Sequence, residues 1–118
     1  AGIFAKLGHT DQIVIADCGL PIPNGVICID LAYELGKPSF KEVLAAVLAD
    51  VAVESSVCAQ EITRHNADLW QHLDALSLNT SQISHEAFKQ QTAQAKVIIR
   101  TGEATPYANV ILRSGVIF

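Results

Sequence analysis

A chain of 118 residues, half of them hydrophobic and 17% charged, fits one domain with a core of its own, spanning residues 1–118. So apolar a small body would leave apolar surface exposed unless neighbouring chains cover it, which makes a homo-oligomer the expectation. A formal net charge of −4 with no Lys/Arg cluster argues against nucleic acid, because a phosphate-backbone partner needs a concentrated basic face.

In chain order, "AGIFAKLG" reads as the end of a helix closed by Gly8, an N-terminal helix that looks incomplete. Residues 13–16, "IVIA", are a short β-branched run between polar Asp11/Gln12 and Asp17, which suits a strand buried on both faces. "GLPIPNG" holds too much Pro and Gly for a regular element, and "VICIDLA" reads as a second strand. After "KPSF", the apolar spacing of "FKEVLAAVLAD" predicts a helix from near residue 39, with Ser39 as N-cap and Glu42 completing a capping box. "VAVE", residues 51–54, reads as a strand. Ser55 or Ser56 is then expected to cap a helix through "VCAQEITRHN", ended by Asn66.

A further helix is expected near residues 67–76. "LNTSQIS" is polar and turn-like, with room for one short strand. "HEAFKQQTAQA" reads as a short helix, and "KVIIRTG" and "NVILRSGVIF" as two β-rich runs joined by "EATPYA". Strands alternating with helices predict an α/β fold, a largely parallel sheet flanked by helices on both sides. The longest mostly apolar stretch, residues 43–53, is broken by Asp50 and too short to span a bilayer, so no membrane segment is expected. Cys18, Cys28 and Cys58 lack close-paired spacing, which fits reduced thiols better than a disulfide framework or a zinc site, and a cytoplasmic setting follows.

Sites in open α/β sheets collect at strand ends, and three polar clusters fall there. His9 and Asp11 precede the first strand and Asp17 ends it. His85 and Lys89, four apart, share a face of their helix. "PYAN", residues 106–109, leads into the last strand. Each also has an ordinary reading: a loop histidine bonded to nearby backbone, an Asp capping a loop, a solvated helix face, turn residues. Cys18 has no predictable source of a lowered thiol pKa. His65 and His72 have no clear carboxylate partner for a metal, and no phosphate-cradling glycine loop, G-x-S-x-G elbow or H-E-x-x-H motif is present.

"LGHTD" (7–11), "DCGLPIP" (17–23), "HEAFKQQT" (85–92), "IRTGE" (99–103) and "PYANVILRSGV" (106–116) together, in this order, resemble the D-ribose pyranase family. The sister L-fucose mutarotases are also similar, but more often carry Gly where this chain has Thr10 and Ala108, and lack the "GLPIP" form. The resemblance implies an α/β fold in pentameric rings, often stacked into a decamer, with sites at subunit boundaries. It implies cofactor-free interconversion of the pyranose and furanose forms of D-ribose, and of its anomers, with no metal. Residue by residue, His9 matches the catalytic histidine, Asp17 a sugar-binding aspartate, His85 a sugar-binding histidine and Lys89 a lysine near the sugar. Tyr107 and Asn109 match side chains of a tyrosine–alanine–asparagine segment, with Ala108 contributing backbone.

This chemistry suits these residues. Opening a hemiacetal and closing it through a different hydroxyl moves only protons, and a histidine with pKa near ~6.5 both takes and gives them at neutral pH. The chain departs from the family in a shortened N-terminal helix and in a stretch between Leu76 and His85 several residues briefer than expected. That second departure bears on where His85 sits. Three rival readings remain: fucose mutarotation, a non-catalytic sugar-binding protein that would not need His9, and a ring-forming scaffold whose polar loops are incidental.

Overall fold

The computed structural model describes residues 11–115. Its centre is a six-stranded sheet in the order β2-β5-β1-β6-β3-β4. The strands are β1 (Gln12–Ala16), β2 (Ile27–Asp30), β3 (Val53–Ala59), β4 (Thr80–Ile83), β5 (Val97–Arg100) and β6 (Val110–Ser114). β1 pairs in parallel with β5, β5 with β2, and β3 with β4. β6 runs antiparallel to both of its neighbours, β1 and β3. The sheet is therefore largely parallel, as expected, with one reversed strand at its middle.

The strand sequences explain why this sheet is covered on both faces. Successive side chains of a strand point to opposite sides, and in β1 both sets are apolar. Ile13 and Ile15 join Val97, Ile99, Val110 and Leu112 in one buried cluster, whereas Val14 and Ala16 join Ile98 and Ile111 in another. On the first face lie α1 (Phe40–Asp50), α2 (Ile62–His65) and α3 (Ala67–Ala75), which contribute Phe40, Leu44, Ile62 and Leu73. On the second lies α4 (His85–Gln91), anchored by Phe88, followed by a 3-10 turn at Thr92–Gln94.

The expected capping box of α1 is present. Ser39 Oγ accepts the Glu42 N–H at 3.2 Å and Glu42 Oε1 accepts the Ser39 N–H at 3.3 Å, so two orphan donors at the helix start are satisfied reciprocally. Pro38 and Ser39 thus end the preceding loop where the sequence indicated.

One expectation fails. The helix expected from Ser55 or Ser56 to Asn66 is a strand for its first half, because β3 continues to Ala59 and α2 holds only Ile62–His65. Ser56 does not cap a helix. It is buried and shares a 2.7 Å hydrogen bond with the Thr80 hydroxyl of β4. β3 has ladder partners on both sides, β6 and β4, and that pairing outweighs the local helix signal of "SSVCAQE". The polar "NTSQIS" stretch supplies the partner: despite its brevity it forms β4.

The loop between β2 and α1 is docked against the β5 end through Gly102. The Gly102 N–H donates to Pro38 O at 2.9 Å. A Cβ at this position would collide with the Lys37 and Glu34 backbone, so only glycine permits the approach. Among the described residues, no helix is long and apolar enough to cross a membrane.

Candidate active site

The carboxyl ends of β1, β3, β4 and β5 and the start of β6 share one rim of the sheet, because β6 is reversed. The chain leaves β1 toward β2 at one edge and leaves β3 toward β4 at the other. A crevice at such a divergence is where open α/β sheets bind ligands. Here it holds a cleft of about 290 Å³ lined by Asp17, Gly19, Leu20, Pro21, His85, Pro106 and Tyr107.

Asp17 follows the last residue of β1 and Asn109 precedes the first of β6. Ninety-two positions apart in sequence, they make a pair of hydrogen bonds. Asn109 Oδ1 accepts the Asp17 backbone N–H at 2.8 Å, and Asn109 Nδ2 donates to Asp17 Oδ2 at 3.2 Å. Asp17 Oδ1 accepts the Gly19 N–H at 3.0 Å. Burial pushes the Asp17 carboxyl above its ordinary value, outweighing the lowering effect of the Gly19, Asn109 and Leu20 hydrogen bonds and of nearby His85. The carboxylate is thus a fixed acceptor in a partly dry cleft.

Tyr107 sits in a turn with φ of 56°, a left-handed conformation unusual for a non-glycine residue. Its ring meets the His85 ring edge-on, with centroids 5.0 Å apart, and lies 5.5 Å from the ring of His65. Ala108 is fully buried, and the Asn109 N–H closes a bond to Tyr107 O at 2.9 Å. His85 is the first residue of α4, whose N-cap is Ser84. The His85 Nδ1 is buried with no hydrogen-bond partner among the described residues.

Of the sequence candidates, Asp17, His85 and Tyr107 line the cleft, and Asn109 grips Asp17 beneath it. Lys89 is a turn further along α4, paired with Glu86 at 2.9 Å, and does not line the cleft. The Lys89 ammonium also holds the exposed Glu86 carboxyl below its ordinary value. His9 lies outside the described residues, as does the helix end expected in "AGIFAKLG". Despite the short stretch before it, His85 reaches the rim, because β4 delivers the chain there in parallel register with β3.

Three supporting residues were not among the site candidates of the sequence. Both carboxylate oxygens of Glu61 accept the His85 N–H, at 3.0 and 3.2 Å. Asn66 Nδ2 donates to Thr105 Oγ1 at 3.0 Å and to Pro106 O at 2.9 Å. Glu103 links the rim to α1: Oε1 accepts the Phe40 N–H at 2.9 Å, Oε2 accepts the Thr105 hydroxyl at 2.8 Å, and its carbonyl accepts the Cys18 N–H at 2.9 Å. Only Glu103 had a sequence signal, through "IRTGE". Among the described residues, no three His, Cys, Asp or Glu side chains gather as a metal ion would require.

The model of the RbsD / FucU transport protein family matches residues 1–117. The chain belongs to that family. Within it, a D-ribose pyranase of Bacillus cytotoxicus is 58% identical over 120 aligned positions, covering 100% of this chain and 92% of the relative. The structure of Bacillus subtilis RbsD complexed with D-ribose superposes with a TM-score of 0.97 at 48% identity, covering 99% of this chain and 91% of that one. A fucose mutarotase of Streptococcus pneumoniae, complexed with L-fucose, shares the fold with a TM-score of 0.78 at 23% identity, covering 99% of this chain and 91% of that one.

Proposed function

We propose that this chain is a sugar isomerase that interconverts the pyranose and furanose forms of D-ribose, and its anomers, by acid/base ring opening and reclosure. The observation that carries the reading is the 0.97 TM-score to a family member complexed with D-ribose. The 58% identity to a D-ribose pyranase favours ribose over fucose, for which the family relative is far more distant.

In this reading His9 shuttles the proton: it takes it from the anomeric hydroxyl as the bond from the anomeric carbon to the ring oxygen breaks, and delivers it to that ring oxygen, leaving the aldehyde and a free hydroxyl. The open aldehyde then closes through a different hydroxyl, and the proton movements reverse. Positioned acid/base help of this kind contributes ~10²–10⁴-fold, sufficient for a reaction that also proceeds in water. Asp17, held by Gly19 and Asn109, accepts from sugar hydroxyls. His85 Nδ1, buried without a partner among the described residues, gains one from a hydroxyl, which removes the cost of an unsatisfied polar atom. Tyr107 supplies a further polar contact, Asn109 acts through its grip on Asp17, Ala108 contributes backbone, and Lys89 is a cation one turn of α4 away from the cleft. No metal or other cofactor enters these steps.

We further propose a homo-oligomer, pentameric rings forming a decamer, working in the cytoplasm. The support is an apolar surface on and after β2, where Tyr33 and Leu35 are 75% and 79% exposed and Ile27 and Leu31 are also bare. A small domain covers such a patch by association, and a second copy of this chain is the proposed occupant.

Exchange NMR on D-ribose tests the function. Wild type accelerates pyranose–furanose exchange above the buffer rate and His9→Ala does not. Wild type at the buffer rate refutes the enzyme reading, and faster exchange of L-fucose than of ribose refutes the substrate. Loss of activity on dilution to monomers is expected; activity in a proven monomer refutes a site shared between subunits.

A further inference from the structure

The mechanism uses two rings, those of His85 at the start of α4 and Tyr107 in the turn before β6, that touch edge-on at 5.0 Å. Neither is held by its own element alone. α4 is only seven residues long, and Tyr107 keeps a left-handed backbone that a non-glycine residue retains only where its surroundings impose it. Beside both lies α2, four residues long, and the residues flanking it bond the segments that carry the two rings.

At its start, Glu61 receives the His85 backbone N–H in its carboxylate. The adjacent Gln60 N–H donates to Ile83 O at 2.7 Å, tying the same corner to the strand that leads into α4. At its end, Asn66 spends both observed donations on the Tyr107 turn, one to Thr105 Oγ1 and one to Pro106 O. His65, the last residue of α2, rests its ring against Tyr107. Ile62, fully buried in the core, pins the helix to the sheet.

We infer that α2 is a bracket that sets the spacing of the two sugar-facing rings, with Glu61 the positioning residue for His85 and Asn66 the positioning residue for Tyr107. The inference rests on the proposed sugar site. Neither residue lines the cleft, so each acts through the backbone that carries the ring: Glu61 through the His85 main-chain N–H and Asn66 through the turn residues just before Tyr107. Asn66 needs an amide, because a carboxylate of the same shape has no N–H to donate. Glu61 needs only an acceptor oxygen, so glutamine serves in its place.

The test measures KM and kcat for D-ribose by exchange NMR, with thermal unfolding and the 13C-labelled histidine ring signals as parallel readouts. His85→Ala and Tyr107→Phe first establish that the two rings bind the sugar. Asn66→Asp and Glu61→Ala are then expected to raise KM by ~10-fold, the worth of one lost ordering hydrogen bond, with kcat within about threefold of wild type. Glu61→Gln recovers most of what Glu61→Ala loses. The His85 ring signals shift in Asn66→Asp, because Tyr107 has moved against that ring. Should Asn66→Asp fail to fold, Thr105→Val, which removes one of the two acceptors, produces the same KM change at smaller size. If the two ring variants raise KM but Asn66→Asp and Glu61→Ala lower only the unfolding temperature, the bracket is overturned and the sugar site stands. If the ring variants leave KM unchanged, the sugar site at these rings is overturned and the bracket with it.

Discussion

Replacing Asn109 by alanine tests the joint between β1 and β6 at the centre of the site. The side chain is 1% exposed and makes two hydrogen bonds to Asp17, accepting its backbone N–H and donating to its carboxylate. A neutral bond of this kind contributes ~1 kcal/mol and one to a charged group ~1.5–3 kcal/mol. Because Asp17 is only half-buried, the lower end applies to the second, and the expected loss of stability is about 2.5 kcal/mol. Urea denaturation at fixed protein concentration should show the midpoint falling with its slope unchanged.

The same variant carries a pH signature. Burial raises the Asp17 carboxyl above its ordinary value of 3.8 in the folded protein. The folded state therefore holds that proton more tightly than the unfolded chain. The Asp17 share of stability is fully present below 3.8 and is lost as pH rises through the elevated folded value. Asn109 Nδ2 opposes this shift by stabilising the charged form, so Asn109→Ala moves the Asp17 midpoint further up. Carboxyl 13C NMR reads that midpoint directly. An unchanged Asp17 titration together with a stability loss under ~0.5 kcal/mol, the ordinary scatter of surface substitutions, would refute the reasoning.

Other expectations follow from single contacts. Ser39→Ala removes the capping box of α1 and should cost ~1 kcal/mol by chemical denaturation; a neutral result would mean that Glu103, which also caps Phe40, suffices. Gly102→Ala places a Cβ against the Lys37 and Glu34 backbone and should destabilise by more than Ser39→Ala, whereas equal stability would show that the 31–38 loop moves freely from the β5 end. Burial pushes the Cys58 thiol up to about 11 while Cys18 is exposed, so iodoacetamide at pH near ~8 should label Cys18 and spare Cys58 in the folded protein, read by mass spectrometry. Labelling of Cys58 at the same rate would contradict its place in the core.

The sequence by itself determined the elements whose signal is local. Residues 13–16 and the "KVII" and "NVIL" runs are β-branched and apolar on both faces, so each marks a buried strand wherever it is put. Ser39 and Glu42 specify the start of α1 within four residues of chain. The order of the five family-like segments carried the resemblance and its candidate residues. Tertiary structure decided what depends on distant partners. "SSVCA" became strand because β4 and β6 flank it, and no window of local sequence contains them. Asp17 and Asn109 meet only because β6 is reversed between β1 and β3, which brings the start of one strand to the end of another. Glu61 and Asn66 look like ordinary polar residues at helix ends until the fold sets α2 beside the segments that carry His85 and Tyr107. Hydrogen bonds spanning 24 to 92 positions leave no periodic trace along the chain, so their partners become legible only once the sheet has assembled.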